Sequence, residues 1–478
     1  MKSKTVLVSG SFNVLHPGHL RLLRFAKSCG DYLIVAVNSD RLAANEAYVR
    51  QHLRLEVISS NSYVDETLLL DEPITDLIAR LKPAIVVKGK EHETRSNIEL
   101  LAVQEYGGKL LFGSGEHGFS SLDLLHHEFR QTNLSSIQLP KDFMARHSIT
   151  KVRLENLVQV FKELKVCVVG DLIVDEYITC QAIGMSQEEP TLVVTPVDNT
   201  CFIGGAAIVA AHAAGFGASV KLISVAGDDL PAKFARTALD NAGVEYHLIV
   251  DDSRPTTLKQ RFRSGGKSLL RVNHLHQRSI SLALQHQLFE LLRPMFAQID
   301  LVVFSDFNYG CLPQKLITPL VELAKSHRVL MAADSQSSSQ MGDISRFKDM
   351  DLITPTEREA RISTRNHEDG LVVLAEQLLQ TSGAKNILLK IGAEGVFIHS
   401  QPTGNGTEDK IAALNSAPQD VAGAGDSLLI ASAMALASGS NIWESACIGS
   451  IAAAVQVSRI GNTPLKARDV INALQIAA

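Results

Sequence analysis

Short apolar runs recur along this chain, and several stop on an aspartate, a lysine or a glycine. They include Val166-Cys167-Val168-Val169-Gly170-Asp171, Leu301-Val302-Val303-Phe304-Ser305-Asp306, Val329-Leu330-Met331-Ala332-Ala333-Asp334 and Ile387-Leu388-Leu389-Lys390. Continuous apolar runs of this length suit strands buried on both faces. Helical patterns lie between them, so the expected fold is α/β with a mostly parallel sheet. Ending each strand on a polar residue gathers those groups on the carboxyl edge of the sheet, where open α/β folds bind ligands. Leu352-Ile353-Thr354-Pro355 and Val220 to Val225 extend the series. The segment Glu189 to Val197 is different: it alternates, is bounded by prolines, and reads as part of a small exposed β lid.

A second α/β series fills the first third. Thr5-Val6-Leu7-Val8 is a strand, a turn runs from Ser9 to His19, an amphipathic helix spans about Leu20 to Cys29, and Tyr32 to Val37 is the next strand. Ala84 to Gly89 and Gly107 to Phe112 add two more. After Arg130 the periodicity lapses. Gln131 to Pro140 is polar and ends on proline, so residues 131–150 are expected to be a linker between a domain over 1–130 and another over 151–478. The second domain should begin with an amphipathic helix from about Lys151 to Leu164. A length of 478 residues accommodates two such cores.

Composition excludes several classes of function. The net charge of −5 gives no basic footprint for nucleic acid. The six cysteines form no Cys-x-x-Cys pair and show no metal-ligand spacing, as expected of reduced thiols. Met1-Lys2-Ser3-Lys4 leads straight into a strand, and the Ala-rich stretches near 206–214 and 428–438 are too short or mixed to span a membrane. A cytoplasmic protein is expected.

Two strings carry chemistry. Asp420-Val421-Ala422-Gly423-Ala424-Gly425-Asp426 opens a run of small residues to Gly439. Small residues let backbone approach a phosphate, the first N–H groups of a helix point at its charge, and the helix dipole has the right sign. Asp426 then stands where a carboxylate takes a proton from a hydroxyl as a phosphoryl group arrives. At the other end, His16-Pro17-Gly18-His19 puts two imidazoles at a strand-to-helix turn, suited to an α-phosphate and a departing pyrophosphate. His126-His127 reads as an exposed helix pair, since no further ligand has zinc-site spacing.

These strings carry a resemblance. Gly10-Ser11-Phe12, His16-Pro17-Gly18-His19, Val37-Asn38-Ser39-Asp40, Val87-Lys88-Gly89 and Phe119-Ser120-Ser121 make residues 1–130 similar to cytidylyltransferase-like nucleotidyltransferases, with a Rossmann-like fold. Gly204-Gly205, Lys390-Ile391-Gly392-Ala393-Glu394-Gly395 and Gly423 to Asp426 make the remainder resemble ribokinase/PfkB sugar kinases. Val169-Gly170-Asp171 with Asp175-Glu176-Tyr177, Pro255 to Arg261 and Ser305-Asp306-Phe307 are similar to heptose-7-phosphate kinases. The pair resembles the bifunctional heptose kinase/ADP-heptose synthase family of lipopolysaccharide precursor synthesis, with the domain order reversed.

The resemblance implies roles. Asp426 is the kinase base, the backbone N–H groups of Ala424 and Gly425 form an anion hole, and Gly423 binds the nucleotide with them. Asp175, Gly204 and Gly205 hold sugar hydroxyls. Lys259, Arg261 and Arg271 hold the sugar phosphate, Lys390, Gly392 and Gly395 bind ATP, and Glu359 helps to hold Mg²⁺. In the transferase, His16 and His19 act on the nucleotide phosphates, with Gly10, Ser11, Phe12, Gly18, Lys88, Ser120 and Ser121 binding the nucleotide and Arg54 a further clamp. The implied reactions are ATP-dependent phosphorylation of a sugar phosphate and transfer of a nucleotidyl group, from ATP or CTP, to a sugar 1-phosphate. A homodimer through the lid is implied as well. Departures from the family patterns are Asn13, Ile208, Asn273, Thr356 and Ala422, each in place of another residue type. They leave open a different sugar substrate, or a kinase domain that only binds.

Overall fold

The computed structural model describes residues 4–476 except 14, 16, 44–48, 90–96, 114–135, 187, 265–266, 337–341 and 402–407. The chain forms two compact units, Met1–Arg130 and Gln131–Ala478.

The first unit is built on five strands: β1 (Thr5–Gly10), β2 (Tyr32–Asn38), β3 (Glu66–Leu70), β4 (Ile85–Gly89) and β5 (Lys109–Gly113). All pair in parallel in the order β3-β2-β1-β4-β5. Alternate residues of β1 serve opposite faces: Val6 and Val8 pack in one core, Leu7 in the other. The chain leaves β1 to one side for β2 and β3, then returns to its other side for β4. This reversal opens a crevice at the carboxyl ends of β1 and β4, the ligand position of doubly wound sheets. The helix after β1 spans Pro17–Ser28.

The second unit has a nine-stranded sheet. Its strands, with the lid strands numbered in chain order among them, are β6 (Lys165–Gly170), β7 (Leu172–Met185), β8 (Leu192–Gly205), β9 (Ser219–Ala226), β10 (Glu245–Val250), β11 (Thr257–Ser264), β12 (Lys267–His274), β13 (Leu301–Asp306), β14 (Leu330–Ser335), β15 (Leu352–Ile353), β16 (Asn386–Lys390), β17 (Val396–Ser400) and β18 (Glu408–Ile411). The order is β10-β9-β6-β13-β14-β15-β16-β17-β18, parallel up to β16 and antiparallel beyond. Val166 and Val168 face one core, Cys167 and Val169 the other; Leu301 and Val303 oppose Val302 and Phe304 in the same way. Burial on both faces is why these strands read as unbroken apolar runs.

The small residues after Gly425 have a packing role. The Ala424–Ala437 helix lies against the Ile442–Gln456 helix so closely that a Cβ on Gly449 would fall 2.0 Å from Ser432 Oγ. Ser445 Oγ donates to the Ser432 carbonyl at 2.7 Å, and Ser432 Oγ donates to the Ser445 carbonyl at 3.2 Å.

One expectation is corrected and another extended. The linker does not extend to residue 150: Ile137, Leu139, Phe143, Met144 and Ile149 are buried in the core of the second unit. Ile137 bridges Asn415, and Arg146 grips Asp409 through Nε and Nη2 at 3.0 and 2.9 Å. His147 accompanies it at 2.7 Å from Asp409 and stacks on Trp443 at 4.2 Å. The apolar anchors are spread thinly among polar residues, Ile137 and Leu139 before a short helix, Lys141–Arg146, Phe143 and Met144 on it and Ile149 after it. The lid is also longer than Glu189 to Val197 suggested. It is a four-stranded sheet, β12-β11-β7-β8, in which β7 and β8 each run for 14 residues.

Candidate active site

In the second unit the carboxyl ends of the central strands place Asp171, Asp306, Asp334 and Lys390 on one edge. The Ala424–Ala437 helix starts at that edge. Its N-cap, Gly423, is left-handed with φ of 77°, a conformation that favours glycine. A Cβ on Gly425 would lie 3.2 Å from Lys390 Nζ, so the ammonium lies over the loop. Lys390 Nζ donates to both oxygens of Asp334, at 3.0 and 2.8 Å. Burial opposes its charge, yet Asp334 and Glu359 raise its pKa above that of an ordinary lysine.

Asp426 is buried in the first turn of this helix. Burial, with the charge of Asp334 adding, pushes its pKa up to about 7, while Lys390 and Lys259 pull the other way. A carboxylate tuned close to neutrality is suited to accept a proton and release it again.

Opposite lie the lid-side residues. Asp175, on β7, is buried; its Oδ1 accepts from Arg261 Nη2 at 3.3 Å and its Oδ2 from Asn462 Nδ2 at 3.2 Å. A Cβ on Gly204 would sit 2.6 Å from Asp175 Oδ2, and one on Gly205, where φ is 58°, would sit 2.3 Å from the Asp171 carbonyl. Lys259 lies 4.9 Å from the Phe307 ring centre and 5.2 Å from that of Tyr309, held by cation–π attraction. Those rings are fixed from beneath. The buried Asp171 carboxylate accepts the N–H groups of Phe307, Tyr309 and Cys311 at 2.8, 3.2 and 3.1 Å. Arg271 pairs in register with Arg261 and is exposed.

Tyr177 ties the lid to the loop before Asp426. Its hydroxyl donates to Asp420 Oδ2 at 2.8 Å; Asp420 also accepts the N–H of Gly461 and that of Ala422, each at 3.1 Å.

Other expected residues have structural duties. Glu359 forms a capping box with Thr356: it accepts the Thr356 N–H at 2.7 Å and donates its own N–H to Thr356 Oγ1 at 3.3 Å. Thr356 therefore serves that helix end as a cap. A Cβ on Gly395 would meet the Ile411 carbonyl at 2.1 Å, so close packing demands glycine there; Gly392 faces open space. Ile208 is completely buried in the helical core and Asn273 is exposed on β12.

In the first unit, Gly10, Ser11 and Phe12 stand at the end of β1, and Lys88 at the end of the neighbouring β4. Phe12 has φ of 46° and meets the His19 ring edge-on at 5.1 Å. Arg54 is corrected from a phosphate clamp to a buried brace. Its guanidinium donates to the carbonyls of Val49, Ser11 and Asn38 at 2.7, 2.6 and 2.8 Å, and to Asp40 at 2.6 Å. Lys88 donates to Glu99 at 2.7 Å. Gly18 lies in the first turn of the Pro17–Ser28 helix. His16, Ser120, Ser121 and the His126-His127 pair lie outside the described residues.

A family model described as pfkB family carbohydrate kinase matches residues 163–468. The chain belongs to the pfkB family of carbohydrate kinases. A cytidylyltransferase-like model matches residues 7–111, so the order is transferase-like first, pfkB second. Bifunctional protein HldE of Bradyrhizobium diazoefficiens is 30% identical over 312 residues, 64% of this chain and 62% of that protein. Bifunctional protein HldE of Desulfatibacillum aliphaticivorans is 28% identical over 327 residues, 66% and 64% respectively. The chain thus matches less than two thirds of the length of these relatives. Among solved structures, Arabidopsis thaliana ribokinase complexed with ribose and ATP superposes with a TM-score of 0.51 at 18% identity, covering 65% of this chain and 99% of that one. Phosphofructokinase-2 of Escherichia coli in complex with substrates and products gives 0.53 at 16%, covering 65% and 98%. These likenesses show the fold, a ribokinase-like α/β unit with its lid.

In the sequence Asp334 stands out only as a strand end, Asp171 as a strand end and part of a string similar to heptose-7-phosphate kinases, and Asn462 and Asp420 have no expected role. Asp334 was legible as a polar strand end on the same carboxyl edge as Lys390, two strands away. Asn462 lies in a loop of no regular pattern and had no local signal.

Proposed function

We propose that the chain carries two transferase activities. Gln131–Ala478 is the kinase domain and phosphorylates a sugar phosphate with ATP; Met1–Arg130 is the nucleotidyltransferase domain and, once a separate phosphatase has removed the original phosphate of the kinase product, joins a nucleotidyl group to the sugar 1-phosphate, releasing pyrophosphate. The sugar is heptose 7-phosphate, phosphorylated at its anomeric hydroxyl, and ATP is the nucleotidyl donor. The observation that carries the kinase reading is Asp426, buried with its pKa near neutrality at a helix start behind Gly423-Ala424-Gly425. The heptose assignment rests on the resemblance carried by Val169-Gly170-Asp171 with Asp175-Glu176-Tyr177, Pro255 to Arg261 and Ser305-Asp306-Phe307. With ATP and sugar phosphates as substrates, the reactions belong to the cytoplasm. Among the described residues no helix is long and apolar enough to cross a membrane.

In the kinase, Asp175 and the backbone at Gly204 and Gly205 hold the acceptor hydroxyls. Lys259 and Arg261, with Arg271 at the lid edge, hold the substrate phosphate, because paired cations favour a dianion. Asp426 removes the proton from the attacking hydroxyl. The N–H groups of Ala424 and Gly425 face the transferring phosphoryl group, and Lys390 with the Gly392 and Gly395 loop holds the nucleotide phosphates. Among the described residues there is no cluster of three or more metal-ligating side chains. Asp334 and Glu359 nonetheless offer hard carboxylate oxygens near Lys390, a donor set that fits Mg²⁺ carried mainly by nucleotide phosphates and water. When bound, that ion neutralises charge on the phosphates. In the transferase, Gly10, Ser11, Phe12, Gly18, His19 and Lys88 bind the nucleotide at the β1/β4 crevice; the resemblance gives His16, Ser120 and Ser121, outside the described residues, a part in the same task.

One observation favours a second reading of the substrate. Ile208 is fully buried and apolar where the resembling kinases place a sugar-binding asparagine. The kinase then accepts a different sugar phosphate. A thermal-shift screen decides. Stabilisation by heptose 7-phosphate and ATP above other sugar phosphates and CTP supports the first reading; preference for another sugar phosphate supports the second.

We also propose a homodimer through the lid. Ile183, Met185, Leu192, Val193 and Val197 are exposed on β7 and β8, an apolar surface that a second lid would cover.

A further inference from the structure

Asn462 occupies a junction that no role yet covers. Its side chain is buried, 6% exposed, in the loop after the Ile442–Gln456 helix. Nδ2 donates to Asp175 Oδ2 at 3.2 Å, while Oδ1 has no hydrogen-bond partner. The amide orientation is set by chemistry, because turning it over would put its oxygen against the Asp175 carboxylate. The same carboxamide touches both ends of the proposed site. A Cβ on Gly204 would lie 3.4 Å from Asn462 Nδ2, and one on Gly423 would lie 2.4 Å from Oδ1. Asn462 therefore sits between the acceptor-holding carboxylate and the N-cap of the phosphoryl-transfer helix.

A buried carboxamide oxygen without a donor is costly, and one that borders a substrate site can be completed by the substrate. The neighbouring side chains leave it without a donor. Gly204 and Gly423 have no side chain, and Gln456 Nε2, which a Cβ on Gly423 would meet at 3.3 Å, donates instead to the carbonyls of Gly461 and Ala422 at 3.0 and 3.4 Å. The Asp175 carboxylate is itself an acceptor. What the site lacks is an O–H group, and the proposed acceptor sugar brings several.

We propose that Asn462 is a specificity-determining residue of the kinase: its Oδ1 accepts a hydrogen bond from a hydroxyl of the acceptor sugar while Nδ2 holds Asp175 in place for the same substrate. This rests on the proposed kinase function and adds a sugar contact to it. The carboxamide would then select sugars by the presence of one hydroxyl, because a site with a buried acceptor rejects an analogue that leaves it unpaired.

The test is steady-state kinetics of the full chain with ATP, heptose 7-phosphate and its monodeoxy analogues. In wild type one analogue should lose about tenfold or more in kcat/KM. Asn462→Ala should raise the KM for heptose 7-phosphate by about tenfold, leave the KM for ATP within about twofold, and discriminate that analogue less than about twofold. Asn462→Ser, smaller but still polar, gives the same reading if the alanine variant folds poorly, and thermal melting reports folding for each. Active wild type with a variant unchanged in sugar KM, or with sugar and ATP KM rising together, overturns this assignment and leaves the kinase reading standing. Wild type that consumes ATP with no sugar phosphate overturns the kinase reading, and this assignment with it.

Discussion

At the residue scale the account turns on Asp426. Asp426→Asn preserves shape but cannot accept the proton, so sugar-dependent ATP consumption should fall by at least about 10²-fold, the low end for a general base. Nucleotidyl transfer from an added sugar 1-phosphate should be unaffected in the same preparation. A loss of both activities would mean that the substitution acts through folding. The raised pKa also has a sign. Kinase kcat should climb as pH rises through about 7, where Asp426 gives up its proton. In stability the same shift works the other way. A carboxyl raised from 3.8 to about 7 favours the folded state fully below its unfolded pKa, and that contribution is lost as pH rises through the folded value. Melting of Asp426→Asn should therefore lack the component of destabilisation that wild type shows between about pH 4 and 7, measured by calorimetry across that range.

At the scale of elements, two contacts hold the site together beyond its reacting groups. Tyr177→Phe removes the hydroxyl that joins β7 to Asp420 and should cost about 1 kcal/mol in denaturant unfolding, with a rise in the KM for the sugar phosphate. Phe143→Ala should destabilise the second unit by about 3 kcal/mol, the cost of emptying a buried aromatic site; an exposed linker residue would cost almost nothing. What was legible in the sequence follows the same division. Strands such as Leu301–Asp306 were plain, because burial on both faces writes an apolar run and the polar last residue marks the ligand edge. The Gly423 to Asp426 string was plain because it is local. The folded anchor Ile137–Ile149 was not, since its apolar residues are spread among polar ones and its partners, Asp409 for Arg146 and His147 and Trp443 for Phe143, are more than 260 positions away. The lid's length was hidden by Pro196 and by register shifts at Thr179/Cys180 and Ala182/Gly184, which interrupt strict alternation. Arg54 looked like a clamp because charge is visible in sequence and the carbonyls that absorb it are not.

At the scale of the whole molecule, the apolar lid face predicts self-association. Light scattering should give a dimer at micromolar concentration, and Leu192→Asp with Val193→Asp should give a monomer, since charges there cannot be buried against a second lid. A wild-type monomer with full kinase turnover would contradict the dimer. The central claim is that one chain performs two successive transfers. The most direct measurement incubates the purified full chain with Mg²⁺, ATP and heptose 7-phosphate and follows products by mass spectrometry. Because the kinase product still carries its 7-phosphate, a sugar phosphatase is added to remove it and free the heptose 1-phosphate. The account predicts a heptose bisphosphate first, then, with the phosphatase present, an ADP-heptose with stoichiometric pyrophosphate. Ligand-independent ATP loss, or stable binding of ATP and sugar phosphate with no phosphorylated sugar formed, would contradict it.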